Sequence, residues 1–170
     1  EQGQSPKFLV ISCCDSRVHP TQVMDTMPGD IFVIRNVANL VPVNKVDGKS
    51  HGTSAAMEFA IKHLDVKHII VFGHSQCGGI KSLMEGDHLD HEYGFIDPWM
   101  KIAKSAREAV VNGYADEDFD AQCIRCEKAS IQMSLNNLKT FPWIKERYDA
   151  GKLFIHGWYF DIESGSLFGN

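Results

Sequence analysis

Residues 68–79 read His68-Ile-Ile-Val-Phe-Gly-His-Ser-Gln-Cys-Gly-Gly79 and carry the clearest structural signal in this chain. The first half is a continuous apolar run with β-branched members, which is typical of a strand buried on both faces of a sheet. The second half places His74 and Cys77 among glycines, so the backbone can bend there and approach a bound group closely. We therefore predict a buried strand that ends in a turn carrying metal-binding side chains.

Similar apolar runs recur along the chain and alternate with helical patterns. They predict further strands at 7–13, 30–35 and 153–160, and helices at 20–27, 52–64 and 119–140. Leu167 and Phe168, after turn residues at 163–166, predict a short antiparallel edge strand near the C-terminus. The pattern indicates a single-domain α/β fold with a mostly parallel central β-sheet flanked by helices.

Two of the helical patterns predict which side chains face the core. In 52–64 the expected face consists of Ala56, Phe59, Ala60, His63 and Leu64. In 119–140 it consists of Ile124, Ile131, Leu135 and Leu138. The acidic residues at 112–120 predict a surface loop between elements.

Length and charge limit the possible functions. The 170 residues suit one domain with a full hydrophobic core. A net charge of −5, without a dense block of Lys and Arg, argues against a nucleic-acid partner. The longest apolar runs, such as Ile69 to Phe72, have four residues, too few for a bilayer span, so we expect no membrane partner.

Cysteine usage predicts a reducing compartment. The chain has five Cys, an odd number, and two of them are adjacent. A domain of this size does not need disulfides, so we expect free thiols and a cytoplasmic location. The chain begins with Glu1 rather than Met, which leaves an organellar location open if a transit peptide was removed.

The ends of two predicted strands carry ligands that suit zinc. Cys13 ends the strand at 7–13, and His74 and Cys77 follow the strand at 68–73. Because sites form at the carboxyl ends of parallel strands, the three side chains can face one edge of the sheet. Two sulfurs and one imidazole leave a fourth position open, as in a catalytic zinc site. A helix starting near Cys77 would favour its thiolate.

Each of these features also has a simpler explanation on its own. His-x-x-Cys is a weak motif, and a single Cys such as Cys13 is often a small buried apolar residue. The joint position of the three side chains after two strands favours the metal site.

Three motifs in this order resemble β-class carbonic anhydrases, most closely the plant-type branch. They are Cys13-Cys-Asp-Ser-Arg-Val18, Arg35-Asn-Val-Ala-Asn39 and Gly73-His-Ser-Gln-Cys-Gly-Gly79. The similarity continues through Cys123-Ile-Arg-Cys-Glu127 and Ser134-Leu-Asn-Asn137 and covers nearly the whole chain. It implies that residues 1–170 are a catalytic domain that converts carbon dioxide and bicarbonate by attack of a zinc-bound hydroxide. The implied ligands of the one Zn2+ per chain are Cys13, His74 and Cys77.

The resemblance also implies roles for two charged residues. Arg17 would pair with Asp15 and keep it ionised, while Asp15 would orient the zinc hydroxide. Val10 stands where a bicarbonate-inhibited subset of the family has Trp, so we expect Asp15 to stay off the metal near neutral pH. The alternative is a simple turn with an Asp–Arg surface pair.

Substrate contacts and partners follow from the same resemblance. The implied substrate-binding residues are Gln4, Phe32, Val37, Phe59 and the backbone N–H of Gly78. In the family the Gln and some aromatic residues come from a neighbouring subunit, which implies a homodimer or higher homo-oligomer. Phe59 replaces a common Tyr, and ordinary core packing remains an alternative for Phe32, Val37 and Phe59.

Three further features of the sequence lie outside the predicted zinc site. Only twelve residues precede Cys13, so the family's N-terminal helical arm is expected to be absent from this chain. Cys123 and Cys126 are predicted to be buried thiols rather than a second metal or redox pair. His88 and His91 resemble a metal-binding loop, although an acidic solvated loop is the simpler interpretation.

Competing functions remain open from the sequence. A non-enzymatic zinc or thiol sensor would need a fourth protein ligand, and a hydrolase of carbon disulfide or carbonyl sulfide would share the ligand set. A nucleotide-binding module is weakly supported, because the chain has no Gly-x-Gly-x-x-Gly after its first strand.

Overall fold

One sheet forms the centre of the computed structural model, which describes residues 3–86 and 94–169. Within these residues the strand order is β2-β1-β3-β4-β5. The strands are β1 (Phe8–Cys13), β2 (Ile31–Asn36), β3 (His68–His74), β4 (Phe154–Asp161) and β5 (Ser166–Gly169). The first four are parallel, and β5 returns antiparallel to β4. The predicted fold class and the C-terminal edge strand are confirmed.

Helices connect the strands and cover the sheet. They are α1 (Pro20–Val23), α2 (Gly52–Lys62), α3 (Gly78–Glu85), α4 (Ile96–Met100), α5 (Lys104–Gly113), α6 (Phe119–Leu138) and α7 (Pro142–Asp149). Short 3-10 turns occupy Val37–Asn39 and Lys101–Ala103. Among the residues described, no helix is both long and apolar enough to cross a membrane.

The predicted helices form but end earlier than expected. The helices predicted at 20–27 and 52–64 stop at Val23 and Lys62. Shortly after each, Asp25 and Asp65 adopt positive φ angles of 49° and 53°, which turn the chain out of the helix. The helix predicted at 119–140 ends at Leu138, before the chain extends at Phe141.

The prediction of a surface loop at 112–120 is wrong at both ends. Helix α5 continues to Gly113, and α6 begins at Phe119. The Asp118 side chain accepts a hydrogen bond of 2.8 Å from the Ala121 N–H and so caps α6. An acidic residue that caps a helix looks, in sequence alone, like one in a loop.

Both predicted core faces contain errors. In α2 the buried residues are Met57, Ala60 and Ile61, whereas the predicted Phe59 and His63 are exposed, Phe59 by 44%. Since residues advance by about 100° around a helix, burying Met57 and Ile61 turns Phe59 to the opposite side. In α6, Ile124 is also 44% exposed, while the other three predicted residues are buried.

The main core lies between one face of the sheet and α2, α6 and α7. Leu9, Ile11, Ile69 and Val71 pack there with residues of those helices. On the opposite face, a smaller cluster surrounds Val10, Ile70 and Phe72. The sheet is therefore buried at its centre on both faces, which holds the ends of β1 and β3 in fixed positions.

Candidate metal centre

The predicted metal ligands meet at one edge of the sheet. β1 ends at Cys13 and its parallel neighbour β3 ends at His74, so their carboxyl ends lie side by side. Cys77 immediately precedes α3. One ligand atom from each residue lies within 4.8 Å of the other two, and all three side chains are buried. Across residues 3–86 and 94–169, this is the only group of three or more potential ligands so close together.

The geometry of His74 suits a metal ligand. Its Nδ1 lies 2.8 Å from the Ser75 carbonyl oxygen, which can only accept, so Nδ1 carries the proton. Its Nε2 is buried without a hydrogen-bond partner. Since buried polar atoms normally have a partner, this lone pair is available to an ion.

The two sulfurs act strongly on each other. A hydrogen bond from the Cys77 thiol lowers the pKa of Cys13, and the same bond raises the pKa of Cys77 together with burial. The N–H groups of Gly79 and Ile80 lower the pKa of Cys77, as predicted for a helix start, but the opposing effects are larger. A divalent cation is the charge that would stabilise both thiolates in this small volume.

Distances are compatible with zinc. Bonds of about 2.3 Å to sulfur in a tetrahedral site place two sulfurs about 3.8 Å apart. The upper limit of 4.8 Å within the cluster requires only small side-chain adjustments to reach this value. The donor set and the spacing therefore fit a zinc ion.

Asp15 and Arg17 form a tight pair beside the cluster. Arg17 donates to Asp15 Oδ1 from its backbone N–H at 2.9 Å and from Nε at 3.0 Å, and to Oδ2 from Nη2 at 2.8 Å. These bonds hold the pKa of the Asp15 carboxyl far below its usual range. Arg17 also donates to the Gln76 carbonyl oxygen at 3.0 Å and so links the two loops that carry the ligands.

Arg35 holds the turn after β1, a role that the sequence did not predict. Its Nε donates to the Cys13 carbonyl oxygen at 2.9 Å. Its Nη2 donates to the carbonyl oxygens of Asp15 at 2.7 Å and Val18 at 2.9 Å. One side chain therefore fixes the path of the backbone that carries Cys13, Asp15 and Arg17.

Glu127 is a second functional candidate that sequence reasoning missed. This carboxylate on α6 is 4% exposed and accepts hydrogen bonds from the Cys77 N–H at 2.9 Å and the Tyr159 O–H at 2.7 Å. Burial raises the pKa of Glu127, while the bonds from Tyr159 and Cys77 oppose that shift. A usable signal existed, because Glu127 is three residues after Ile124 and four before Ile131, on the stripe predicted to be apolar.

Two of the predicted substrate residues lie beside the cluster. Val37 packs against the group of buried residues that contains Cys13 and Cys77. Its Cγ1 is 3.0 Å from the position of a Cβ added at Gly79. Gly78 is the first residue of α3, directly after Cys77. An apolar wall and a backbone N–H are thus available near the predicted metal ligands.

The other three predicted substrate residues lie away from the cluster of the same chain. Gln4 is exposed and precedes β1, whose length of about 17 Å separates its start from Cys13. Phe32 is opposite Leu9, about 13 Å along the strand from Cys13. Phe59 packs against Phe32 with ring centroids 6.0 Å apart.

Among the described residues, no other thiol or imidazole joins the group formed by Cys13, His74 and Cys77. Burial raises the pKa of Cys123 to about 11 and that of Cys126 to about 12, as suits the predicted buried thiols. Cys14 is exposed, whereas its neighbour Cys13 is buried. His88 and His91, the alternative metal loop, lie outside the described residues.

Comparison with known protein families gives one consistent result. A family model described as carbonic anhydrase matches residues 8–167. Beta carbonic anhydrase 5, chloroplastic, from Arabidopsis thaliana is 45% identical over 160 residues. The aligned region is 94% of this chain but 52% of that relative, so the chain spans about half the relative's length.

Solved structures extend the similarity to the fold. The β-carbonic anhydrase CcaA superposes with a TM-score of 0.90 and 35% identity, covering 98% of this chain and 74% of that chain. One of two tetrameric β-carbonic anhydrases from Sordaria macrospora gives 0.82 and 33%, covering 98% of this chain and 81% of that chain.

Proposed function

Because this chain belongs to the β-carbonic anhydrase family, we propose that it catalyses the reversible hydration of carbon dioxide to bicarbonate and a proton at one zinc ion. The observation that carries this proposal is the buried cluster of Cys13, His74 and Cys77. Three ligands of these types leave one tetrahedral position for water or substrate.

The side chains around the cluster have distinct tasks. A bound zinc ion would supply Lewis acidity that favours deprotonation of water. Asp15 would accept a hydrogen bond from the reacting water and orient it toward carbon dioxide. Arg17 would keep Asp15 ionised and turned away from the metal, since it engages both carboxylate oxygens. Val37 would contact carbon dioxide, and the Gly78 N–H would donate to a bicarbonate oxygen.

A homo-oligomeric enzyme explains the separated substrate residues. Gln4, Phe32 and Phe59 cannot line the pocket of their own chain if they remain near the start of β1. In a symmetric dimer the same residues could complete the neighbour's pocket. The tetrameric Sordaria proteins support this assembly as a homodimer or larger.

Two alternative functions, a non-enzymatic sensor and a different hydrolase, require different features of the site. A zinc or thiol sensor would need a fourth protein ligand, and among residues 3–86 and 94–169 no further His, Cys or carboxylate joins the cluster. Hydrolysis of carbon disulfide or carbonyl sulfide would use the same ligands, so only substrate assays separate it from carbon dioxide hydration. The Arabidopsis relative is named as chloroplastic, which favours the organellar over the cytoplasmic alternative for the whole protein.

Stopped-flow carbon dioxide hydration on protein of measured zinc content tests the function. We expect about one zinc per chain and a rate far above buffer for the wild type, with loss of both in Cys77→Ala. Cys126→Ala is the matched control, because it removes another buried thiol and should keep zinc and activity. A wild-type protein with one zinc per chain but no rate above buffer would exclude the proposed activity, and assays with carbon disulfide and carbonyl sulfide would follow.

A further inference from the structure

The buried carboxylate of Glu127 contacts the backbone of the candidate metal centre. Glu127 lies on α6, outside the strand-end loops that supply the ligands. Its Oε1 accepts from the Cys77 N–H at 2.9 Å, and its Oε2 accepts from the Tyr159 O–H at 2.7 Å. Each oxygen therefore has a fixed partner, one on the ligand loop and one on β4. A carboxylate held at both ends can hold the loop in turn.

The loop that Glu127 contacts needs such support. Residues 75–77, the metal loop, connect β3 to α3. Gln76 has a φ angle of 58°, a left-handed conformation that is unfavourable for a residue with a Cβ. Ser75 is held by β4, since its N–H donates to the Phe160 carbonyl oxygen at 2.9 Å. The Glu127 contact holds the other end of the metal loop.

The metal loop serves two parts of the site at once. It carries the Cys77 sulfur, and the Gln76 carbonyl oxygen accepts from Arg17 Nη2 at 3.0 Å. A shift of this loop would move a metal ligand and would also release one anchor of the Asp15–Arg17 pair. The contact at the Cys77 N–H therefore controls more than one hydrogen bond.

We propose that Glu127 is a positioning residue of the metal centre, which fixes the metal loop through the Cys77 N–H and so holds the Cys77 sulfur in place for the ion. The residue contacts neither substrate nor the reacting atoms. The inference rests on the proposed function only in taking Cys77 as a metal ligand.

A positioning role predicts that shape matters more than charge. Glu127→Gln keeps an oxygen that can accept from the Cys77 N–H, while its amide can donate to the Tyr159 oxygen. Glu127→Ala keeps neither contact. Tyr159→Phe retains the ring and removes only the O–H that orients the carboxylate. Ser134→Ala is the matched control, because it removes a buried α6 hydrogen bond, from the Val41 N–H, that does not involve the metal loop.

Two measurements on the zinc-loaded protein test the proposal without relying on activity. Amide hydrogen exchange reports whether the Cys77 N–H remains protected, and a chromophoric chelator reports the rate of zinc release. We expect Glu127→Ala to speed both amide exchange and zinc release by roughly 10- to 100-fold, by analogy with the loss of metal affinity when a group that orients a ligand is removed. Tyr159→Phe should speed both by several-fold, and Glu127→Gln and Ser134→Ala should stay within about twofold of wild type.

The proposal is overturned if exchange at Cys77 or zinc release in Glu127→Ala matches Ser134→Ala. It is also overturned if Glu127→Gln is as impaired as Glu127→Ala, since charge rather than position would then be responsible. If Glu127→Ala does not fold, an unchanged Tyr159→Phe overturns it. Carbon dioxide hydration is measured separately, so an inactive wild type that retains zinc counts against the proposed function and not against this role.

Discussion

At the scale of single residues, the site depends on which polar atoms already have hydrogen-bond partners. Both Asp15 oxygens accept hydrogen bonds from Arg17, which in turn is tied to the Gln76 carbonyl oxygen. A carboxylate held in this way cannot easily rotate toward an ion at the cluster. We therefore propose that Arg17 keeps the fourth position of the proposed zinc site accessible.

Removing Arg17 should allow Asp15 to bind the metal. In crystals of the zinc-loaded wild type at pH 7.5, we expect no Asp15 oxygen within bonding distance of zinc. In Arg17→Ala, an oxygen should approach to about 2.0–2.2 Å, and activity should fall by at least about 100-fold. Arg147→Ala, which breaks a surface pair with Asp65, is the control and should leave the site unchanged. Coordination of Asp15 in the wild type at this pH would contradict the prediction.

The thiols should differ sharply in reactivity. With pKa values of about 11 and 12, Cys123 and Cys126 are less than about 0.1% ionised at pH 8, and both are buried. Iodoacetamide should therefore label the exposed Cys14 first. Mass spectrometry of tryptic peptides checks the order, and Cys14→Ser should remove the fast phase. Labelling of Cys123 or Cys126 at the rate of Cys14 would show that burial does not suppress their ionisation.

Residue types predicted that Cys13, His74 and Cys77 lie together, but not the groups that hold their backbone. Cys and His have few roles that combine sulfur and imidazole near one strand edge, and one potential ligand atom from each of the three does lie within 4.8 Å of the others. Arg35 and Glu127 act on backbone groups, the Cys13 carbonyl and the Cys77 N–H. Every residue has such groups, so no residue pattern identifies these partners in advance. The position of Glu127 on a predicted apolar stripe marks it as unusual but does not show what it binds.

At the scale of secondary-structure elements, the site requires close contact between β3 and α6. A Cβ added at Gly73 would lie 2.6 Å from Ile131 Cδ1 and 2.8 Å from its Cγ1. Gly73 precedes His74, a predicted metal ligand, and the absence of a side chain at Gly73 lets α6 pack directly over the end of the strand. The same packing brings Glu127 to the metal loop.

Substitutions at Gly73 and Ile131 should have non-additive effects on the free energy of unfolding. We expect Gly73→Ala to lower the free energy of unfolding by about 1–3 kcal/mol through overpacking. Ile131→Ala should cost about 2–5 kcal/mol through a cavity, but the double variant should cost at least about 1 kcal/mol less than the sum. Urea unfolding measures all three. Gly52→Ala, with open space around the added methyl, should change little. Strict additivity of the two substitutions would refute the close contact.

Buried strands were more predictable than helices for a physical reason. A strand covered on both faces must be apolar throughout, so its sequence pattern is continuous. A surface helix shows only an apolar stripe along one face. If the stripe is assigned two residues away from its true position, the predicted face points to solvent, as in the prediction that placed Phe59 in the core. Helix α4 has five residues and α7 has eight, too few for a clear apolar stripe in the sequence.

At the scale of the whole molecule, the predicted substrate residues fall into two groups. Val37 and Gly78 lie near the cluster, whereas Gln4, Phe32 and Phe59 lie toward the start of β1 and on α2. The sequence alone could not separate these groups, because distance from the site depends on the register of the sheet. A pocket shared between two copies would use both groups.

Mixing two inactive proteins tests this shared pocket. We expect Gln4→Ala and Asp15→Asn each to lose most activity as a homodimer. In dimers reassembled from equal amounts, half should be mixed, and each mixed dimer should contain one intact pocket, giving about a quarter of wild-type activity. Sedimentation of Phe59→Arg, with Phe119→Arg as an exposed aromatic control, checks whether the α2 surface maintains the dimer. No recovery in the mixed sample would mean that each pocket is completed within one chain.

The proposed zinc site, made of Cys13, His74 and Cys77, would have a consequence for folding. Cys13 and His74 are separated by about 60 residues of chain, which include all of β2 and α2. An ion bound by all three would act as a cross-link that closes this long loop, and its binding energy would be available only after β1 and β3 have paired. Metal supply during biosynthesis would then influence how much of the polypeptide reaches its native state, as well as how fast it turns over substrate.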